Sequence, residues 1–583
     1  MTFAWRRLTV PLLAALVLAP AAAAPEARIK VELEGLEGEL LANARAFLSI
    51  ERYKDAADLS EASVERLHGR ASDELRAALK PFGHYRPEIE ATLEADARGW
   101  IARYRITTGA PVLVRTLEVT VDGAGRDDPA FAAVLEDPPI SVGAAARHDR
   151  YESLKRALLT AAEDSGYLEA RYTESVLEVD PIAGEARIRL KLISGDRSYF
   201  GAIRFEQDVV EQALLDRYVE FEVGDPFSMR KLLDLQYALN DSDYFRLVEI
   251  EPERQAIDAE RRIPLRVRLT ARERTKWTFG LGYGTDTGPR GTVGWENRRI
   301  NRLGHRARAE LSASEIKTEL KLAYTIPLAR PASERLSFQA EAIEEDKGDT
   351  LSRRTEFGAR IDKTFGRLKQ SFYAQFEYER SQFPTAPELR SQLLVPGVFW
   401  AHTRSDSPLF ARDGERWTLD LHGASEAVYS DITFFQYQLS GKLVRPMGER
   451  SRFITRAEYA RSLGASLADL PVSQRLFAGG DQSVRGYGYE SIGETDVNGN
   501  VIGGTEMATI SVEVDRLFSA RWGAAVFIDA GDAVDTSSFA PKVGAGVGLR
   551  WRSPIGMLRL DLGWALDDQL EGWHLHFAIG PDL

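Results

Sequence analysis

The second half of this chain alternates between apolar residues and small or polar residues with a period of two. Such alternation is typical of β-strands that present one apolar and one polar face. In the first and last of these segments the apolar positions are Trp277, Phe279, Leu281 and Tyr283, and Trp573, Leu575, Phe577 and Ile579. The opposite faces carry Arg, Asp, Gln and Lys, which are costly in a dry sandwich core but are solvated in a wet lumen. The pattern therefore predicts a membrane β-barrel.

The predicted barrel occupies residues 272–583. A membrane strand of ~9–11 residues takes roughly 20 residues with its connection, so this region has room for about 16 antiparallel strands. The mean hydropathy of the chain is only −0.28. That value does not argue against a barrel, because each strand turns only alternate residues towards lipid. Lipid cannot satisfy an open sheet edge, so we expect the strands to close on themselves.

The N-terminal residues have the pattern of a secretory signal peptide. Arg6 and Arg7 precede an apolar run at residues 8–19, and small residues follow at 21–24. The run is shorter than the ~20 residues of a spanning helix, so we expect a signal peptide over residues 1–23. The chain has 0 cysteines, which excludes disulfides and a catalytic thiol, and its net charge of −13 argues against a nucleic-acid partner.

Three similar units of about 80 residues lie between the signal peptide and the barrel. Each has the pattern strand, two helices, two strands, with a tyrosine after the second helix. The predicted domains are residues 27–110, 111–195 and 196–271, and their tyrosines are Tyr85, Tyr167 and Tyr244. We therefore expect three repeated α+β domains. Unrelated α+β domains of similar length are the alternative.

A glycine-rich segment at residues 475–493, RLFAGGDQSVRGYGYESIG, interrupts the strands. Downstream, Glu513 and Asp529 each stand on the polar face of an alternating segment, which places both in the lumen. A guanidinium can bridge two carboxylates, and glycines allow the backbone to approach a wall closely. We therefore expect Arg485 to bind both acids and to lock an inward loop. The alternative is a solvated outer loop above acids that line a pore.

The motifs VRGY at residues 484–487 and FIDAG at 527–531 resemble the hallmark pair of the Omp85 superfamily, a family of outer-membrane assembly and translocation proteins. The segment AGGDQSVRGY and the three repeats resemble the TamA branch of this superfamily most closely. The central assembly protein BamA would have five repeats. Two-partner secretion transporters usually have two, together with an N-terminal plug helix that is not evident in this sequence.

This resemblance implies a fold of three periplasmic POTRA domains followed by a 16-stranded transmembrane β-barrel in the outer membrane of a Gram-negative bacterium. It implies that Arg485, Gly486 and Tyr487 form the loop lock with Glu513 and Asp529. It also implies a lateral seam where the first and last strands meet, at the eight apolar residues named above. The expected partners are a TamB-like protein anchored in the inner membrane, unfolded outer-membrane protein substrates of the autotransporter type, and outer-membrane lipid.

We therefore predict a non-enzymatic insertase or translocase without a cofactor or metal. His574 and His576 could hold a metal, but no third ligand is evident. The glycines at residues 280–290 lack the following helix that a nucleotide loop needs. The alternatives are a passive outer-membrane channel, a two-partner-secretion-type transporter, lipid transport between the membranes with the same partner, and an outer-membrane hydrolase.

Overall fold

The computed structural model describes residues 29–56, 59–96, 99–284, 288–347, 350–383, 386–535, 538–554, 556–567 and 572–580. The predicted signal peptide, residues 1–23, lies outside the described residues.

The first two repeats each form a three-stranded mixed sheet covered by helices. The elements of the first are β1 (Ile29–Glu34), α1 (Gly38–Phe47), α2 (Ser49–Tyr53), α3 (Glu61–Leu79), β2 (Glu88–Asp96) and β3 (Gly99–Thr107). Those of the second are β4 (Leu113–Asp122), α4 (Pro129–Glu136), α5 (His148–Asp164), β5 (Arg171–Asp180) and β6 (Glu185–Ile193). The last strand of each repeat lies in the middle, parallel to the first strand and antiparallel to the second. The predicted order of strand, two helices, two strands is confirmed, and the first repeat adds a short helix.

Amphipathic patterning explains how the second repeat folds. Helix α5 buries Leu154, Leu158 and Ala162, which recur every four residues and so share one face. Strand β6 buries Ala186, Ile188, Leu190 and Leu192, while the residues between them are more exposed, because successive strand residues point to opposite faces. One buried core forms between the helices and one face of the sheet.

The third repeat has the same architecture. Its elements are β7 (Tyr199–Glu206), α6 (Gln212–Asp216), α7 (Met229–Asp241), β8 (Phe245–Pro252) and β9 (Arg262–Ala271), and its sheet has the order β7-β9-β8. Leu235 and Leu239 of α7 are buried in its core. Among the helices of the described residues, none is long and apolar enough to cross a membrane.

Among the described residues, the C-terminal part of the chain forms a 16-stranded antiparallel sheet, which confirms the predicted barrel. Its strands are β10 (Thr275–Gly284), β11 (Gly288–Asn297), β12 (Arg306–Ala313), β13 (Lys317–Pro327), β14 (Glu334–Lys347), β15 (Thr350–Phe365), β16 (Leu368–Gln382), β17 (Leu389–Ser405), β18 (Gly414–Ala424), β19 (Phe434–Met447), β20 (Ser451–Leu463), β23 (Glu506–Leu517), β24 (Trp522–Val534), β25 (Lys542–Ser553), β26 (Gly556–Ala565) and β27 (Trp573–Gly580). The short strands β21 (Glu494–Thr495) and β22 (Val501–Gly503) form a hairpin in the loop between β20 and β23.

The apolar phase of the strands faces outward. Val526 and Ile528 of β24 are 58% and 50% exposed, whereas Asp529, one residue further, is fully buried. A soluble protein rarely exposes a continuous apolar band, so this surface is suited to contact with lipid. The alternation therefore places the charged residues inside the barrel, as the sequence predicted.

The third repeat is joined to the barrel at the turn between β11 and β12. The hydroxyl of Tyr244 donates a 2.6 Å hydrogen bond to the carbonyl of Gly304 in this turn. The guanidinium of Arg306 lies 4.8 Å from the centroid of the Tyr244 ring and also donates to the carbonyl of Ser242. The repeated tyrosine of this domain thus contacts the barrel rather than only its own core.

Candidate functional site

Part of the loop between β20 and β23, residues 464–505, folds into the barrel. Val484, Arg485 and Tyr487 are at most 5% exposed. The loop also contacts the wall opposite the arginine: Gln474 donates to Glu377 of β16 at 3.0 Å, and the amide of Ser473 donates to Glu379 at 3.2 Å. Contacts on both sides of the lumen therefore hold the loop in its inward position.

Arg485 uses all five of its guanidinium N–H groups. Nε donates to Asp529 Oδ2 at 2.7 Å, and Nη2 donates to Asp529 Oδ1 at 3.0 Å and to Ser511 Oγ at 3.2 Å. Nη1 donates to Glu513 Oε2 at 2.8 Å and to Asp561 Oδ2 at 2.9 Å. A guanidinium has five donors in a rigid plane, so this arrangement saturates it. The side chain is bound to three strands at once: β23, β24 and β26.

The backbone at this position is held as well. The amide of Arg485 donates to Asp529 Oδ2 at 3.0 Å, so one carboxylate receives both the main chain and the side chain of the same residue. The guanidinium carbon lies 3.4 Å from the centroid of the Phe527 ring, a cation–π contact two residues before Asp529 on the same strand. The FIDAG motif therefore supplies both a carboxylate and an aromatic face to the arginine.

A second arginine completes the cluster. Arg550 of β25 donates through Nη2 to Glu513 Oε1 at 2.6 Å and through Nη1 to Asp561. Arg550 and Asp561 also stand on the polar phase of their alternating segments, but the sequence analysis did not assign them to the lock. We call Arg485, Arg550, Glu513, Asp529 and Asp561 the arginine cluster.

The arginine cluster holds two cations and three carboxylates in a nearly dry space. The side chains of Asp529 and Arg550 are 0% and 1% exposed, and that of Arg485 is 6% exposed. Isolated buried charges are strongly destabilising, whereas paired and hydrogen-bonded charges are tolerated. Removing one member would leave the charges of its partners without compensation in a dry site. The cluster therefore favours a single position of the loop.

Glycines on the barrel wall make room for the loop backbone. A Cβ on Gly544 of β25 would lie 1.9 Å from the carbonyl oxygen of Arg485, and one on Gly563 of β26 would lie 2.7 Å from the amide of Gly486. Gly486 itself has a φ of +100°, and a Cβ there would meet the backbone of Trp564 at 2.6 Å. Only glycine allows this backbone conformation and this close approach. Tyr487 is buried beside it, with its hydroxyl 3.5 Å from the carbonyl of Val543.

The proposed seam residues lie on the two end strands of the sheet order. Strands β10 and β27 approach within 8 Å at their Cα atoms. No hydrogen-bonded register between them is found within the part of the chain that the structure describes. The exposed side chains there are Trp277, Phe279, Leu281, Trp573 and Leu575, and Phe577 is half-buried. The side chains of Tyr283 and Ile579 lie outside the described residues.

The end strands are also short. Strand β10 has 10 residues and β27 has 8, whereas β15 and β17 on the far side have 16 and 17. At about 3.3 Å per residue, the wall beside the seam is roughly half as long as the opposite wall along the strand direction. The ladder is thus interrupted among the shorter strands of the sheet.

The two histidines of the last strand belong to no candidate metal site of the described residues. Among the residues described, no group of three or more His, Asp or Glu side chains has the geometry to hold a metal ion. His576 instead contacts Asp481 and the backbone of the inward loop. The period-2 pattern had placed His576 on the polar face, but the path of the loop beside it could not be read from the pattern.

Comparisons with known proteins agree with this fold. The sequence profile of the Omp85 superfamily domain matches residues 300–582, and the profile described as POTRA domain TamA domain 1 matches residues 30–108. The chain is 37% identical over 112 residues to the outer membrane protein assembly factor BamA of Nitratidesulfovibrio vulgaris. That match covers 18% of this chain and only 14% of the length of the relative.

The chain is similar in structure to the crystal structure of BamA from Haemophilus ducreyi lacking POTRA domains 1–3. The match covers 80% of this chain and 99% of the BamA chain. The TM-score is 0.63 at 18% sequence identity, so the likeness establishes a shared fold.

Proposed function

Since this chain belongs to the Omp85 superfamily, we propose that it inserts or translocates unfolded outer-membrane proteins through a lateral seam between β10 and β27. The chain is an outer-membrane β-barrel protein whose POTRA domains lie in the periplasm. We propose residues 27–110, 111–195 and 196–271 as the three POTRA domains and 272–583 as the barrel. The sequence similarity to BamA is confined to a short segment, so the proposed activity rests on the geometry of the seam and of the inward loop.

A single observation carries the proposal: the hydrogen-bonded ladder is interrupted between β10 and β27, and the inward loop is locked to the wall beside this interruption. An unpaired strand edge is a template for another strand. Its N–H and C=O groups have no hydrogen-bonding partners, and lipid cannot supply any. The short strands β10 and β27 would offer such edges when they part. The arginine cluster lies on β23 to β26, immediately beside β27, and so fixes the wall next to the seam.

The proposed mechanism requires no covalent chemistry. Substrate strands would pair with an exposed edge of the seam, and backbone hydrogen bonds would supply the free energy that drives insertion. The arginine cluster would keep the adjoining wall rigid while the seam opens. Arg485, Gly486 and Tyr487 would act as the loop lock, with Glu513 and Asp529 as its partners, and the exposed apolar residues of β10 and β27 would border the opening.

We further propose a TamB-like partner anchored in the inner membrane. The match of residues 30–108 to the first POTRA domain of the TamA type supports this assignment. Each POTRA sheet leaves its first and second strands at the edges, where an extended segment of a partner could add a strand. Capture of an inner-membrane protein on the full-length chain from solubilised membranes would support the proposal. Recovery of outer-membrane proteins alone would contradict it.

The insertase proposal is tested with full-length protein in liposomes and a urea-unfolded autotransporter barrel as substrate. Insertion is measured by the shift in gel mobility between unheated and heated samples. Arg485→Ala should lower the yield of inserted substrate at least tenfold, because the loop lock is lost.

Arg452→Ala is the matched control. Arg452 is 4% exposed and pairs with Asp515 within the same barrel, away from the loop. It should keep the yield within twofold of wild type. An equal loss in both variants would mean that buried ion pairs serve only barrel stability. Full activity of Arg485→Ala would remove the loop from the mechanism, and steady ion conduction by the wild type without insertion would favour a passive channel.

A further inference from the structure

His576 connects the last strand of the barrel to the inward loop. The side chain is 3% exposed, and its Nε2 lies 3.1 Å from the amide nitrogen of Gly486. Its Nδ1 contacts a carboxylate oxygen of Asp481 in the same loop. A backbone amide can only donate, so Nε2 accepts, and Nδ1 therefore carries the hydrogen that is donated to Asp481. Both nitrogens of the ring are used to bind the loop.

The position of His576 extends the arginine cluster by one strand. In the ladder between β26 and β27, His576 stands directly opposite Asp561. Asp561 accepts from Arg485, and His576 accepts from the next residue of the loop, Gly486. Two consecutive loop residues thus bind two consecutive strands, β26 and β27. The contacts of the loop with the barrel wall therefore extend to the last strand, β27.

Strand β27 is held weakly by its ladder. It has 8 residues, and in the described residues its ladder partner is β26 on one side only. A strand at a sheet edge opens more readily than an internal strand, because it has about half the backbone hydrogen bonds. A contact on its lumen face is therefore an important additional restraint.

We propose that His576 is a positioning residue that ties β27 to the inward loop, so that the last strand stays with the wall when the seam parts and β10 is the strand that moves away. The role of the tie in seam opening rests on the proposed function, whereas the tie itself does not. Its existence is tested without any substrate, so its failure and the failure of the insertase proposal are distinguishable.

Hydrogen exchange of the full-length protein in nanodiscs, followed by mass spectrometry, tests the tie. In His576→Ala the peptide that covers residues 573–580 should exchange at least tenfold faster than in wild type. Peptides from β24, residues 522–534, should keep their rates, because Arg485 still binds Asp529. His402→Ala on β17 is the matched control, since this histidine stacks on Trp417 and its strand is not a neighbour of β27 in the strand order. It should leave residues 573–580 unchanged.

Two conservative variants separate the two contacts. The amide of His576→Gln can place an oxygen near the position of Nε2 and accept from Gly486, and should restore most of the protection. His576→Asn can place a donor near Nδ1 and should retain only the contact with Asp481. Unchanged exchange of β27 in His576→Ala would overturn the proposal. Equal acceleration of all barrel strands without rescue by Gln would also overturn it, because it would indicate a general packing role.

Asp481→Ala provides an independent variant in case His576→Ala does not fold. It removes the carboxylate from the loop and leaves every strand sequence intact. Faster exchange of residues 573–580 in this variant supports the tie, and unchanged exchange contradicts it.

Discussion

Glu513 and Asp561 are joined by two arginines, one from the loop and one from the wall. Nη1 of Arg485 lies 2.8 Å from Glu513 and 2.9 Å from Asp561, and Arg550 contacts the same two carboxylates from β25. Glu513 is on β23 and Asp561 is on β26, with two strands between them. Charge therefore links strands that the ladder does not pair directly.

Removing Arg485 should leave the fully buried carboxylate of Asp529 without its compensating positive charge. Breaking a buried pair in this way costs roughly 3–5 kcal/mol, because the remaining carboxylate loses its guanidinium partner in a nearly dry site and keeps only the backbone amide of residue 485. Arg485→Ala should therefore unfold at a lower temperature than wild type, measured by the temperature at which the compact gel band disappears. The double variant Arg485→Ala with Asp529→Asn should unfold at a higher temperature than Arg485→Ala alone, because the stranded charge is removed. Simple addition of the two single effects would contradict a shared contact.

A methyl group on Gly544 should displace the loop. Its Cβ would lie 1.9 Å from the carbonyl oxygen of Arg485, a distance that neither backbone can accept. Gly544→Ala should expose the loop, so that trypsin added outside intact cells cleaves at Arg485 at least tenfold faster. Gly441→Ala on β19 is the matched control, because no atom lies within 4 Å of the added Cβ. Equal resistance of both variants to trypsin would show that the loop does not lie against this wall.

The joint between the third repeat and the barrel should loosen when the hydroxyl of Tyr244 is removed. Tyr244→Phe loses the 2.6 Å hydrogen bond to Gly304 and keeps the ring beneath Arg306. Hydrogen exchange of the turn at residues 298–305 should become about threefold to tenfold faster, in line with the roughly 0.5–1.5 kcal/mol of a typical hydrogen bond. Tyr237→Phe, on the exposed side of α7, is the control and should have no effect. An unchanged turn in Tyr244→Phe would show that the ring alone holds the joint.

The first repeat should lose stability in mild acid through His68. Burial lowers the pKa of His68 below its usual 6.5, and its Nδ1 lies 3.0 Å from the hydroxyl of Tyr104. The folded repeat favours the neutral ring, so the contribution to stability is present above the unfolded pKa of about 6.5 and is lost as the pH falls through and below that value. Exchange of α3, corrected for the intrinsic pH dependence, should accelerate between pH 7.5 and 5.5 in wild type. His68→Gln should show a smaller acceleration, and an equal one would assign the effect to other groups.

Part of the arginine cluster could be predicted from local sequence alone. Residues on a strand point alternately to its two faces, so the phase of Val526 and Ile528 is enough to turn Asp529 inward. The same argument placed Glu513 in the lumen, and it applies equally to the phase of Arg550 and Asp561. The number of strands followed from the length of residues 272–583, and the three repeats followed from the spacing of Tyr85, Tyr167 and Tyr244.

Which lumen residues meet was decided only by the tertiary structure. The sequence predicted that Arg485 would bind two acids, and the fold brings a third acid, Asp561, and a second arginine, Arg550, to the same place. Their meeting depends on the register of four strands and on the path of the loop between β20 and β23. His576 was assigned to the lumen by its phase, but its contact with Gly486 required the loop to reach β27. Alternation is a property of each strand by itself, so sequence determined which way a side chain points; register and loop path are properties of the closed barrel, so only the fold determined what it binds.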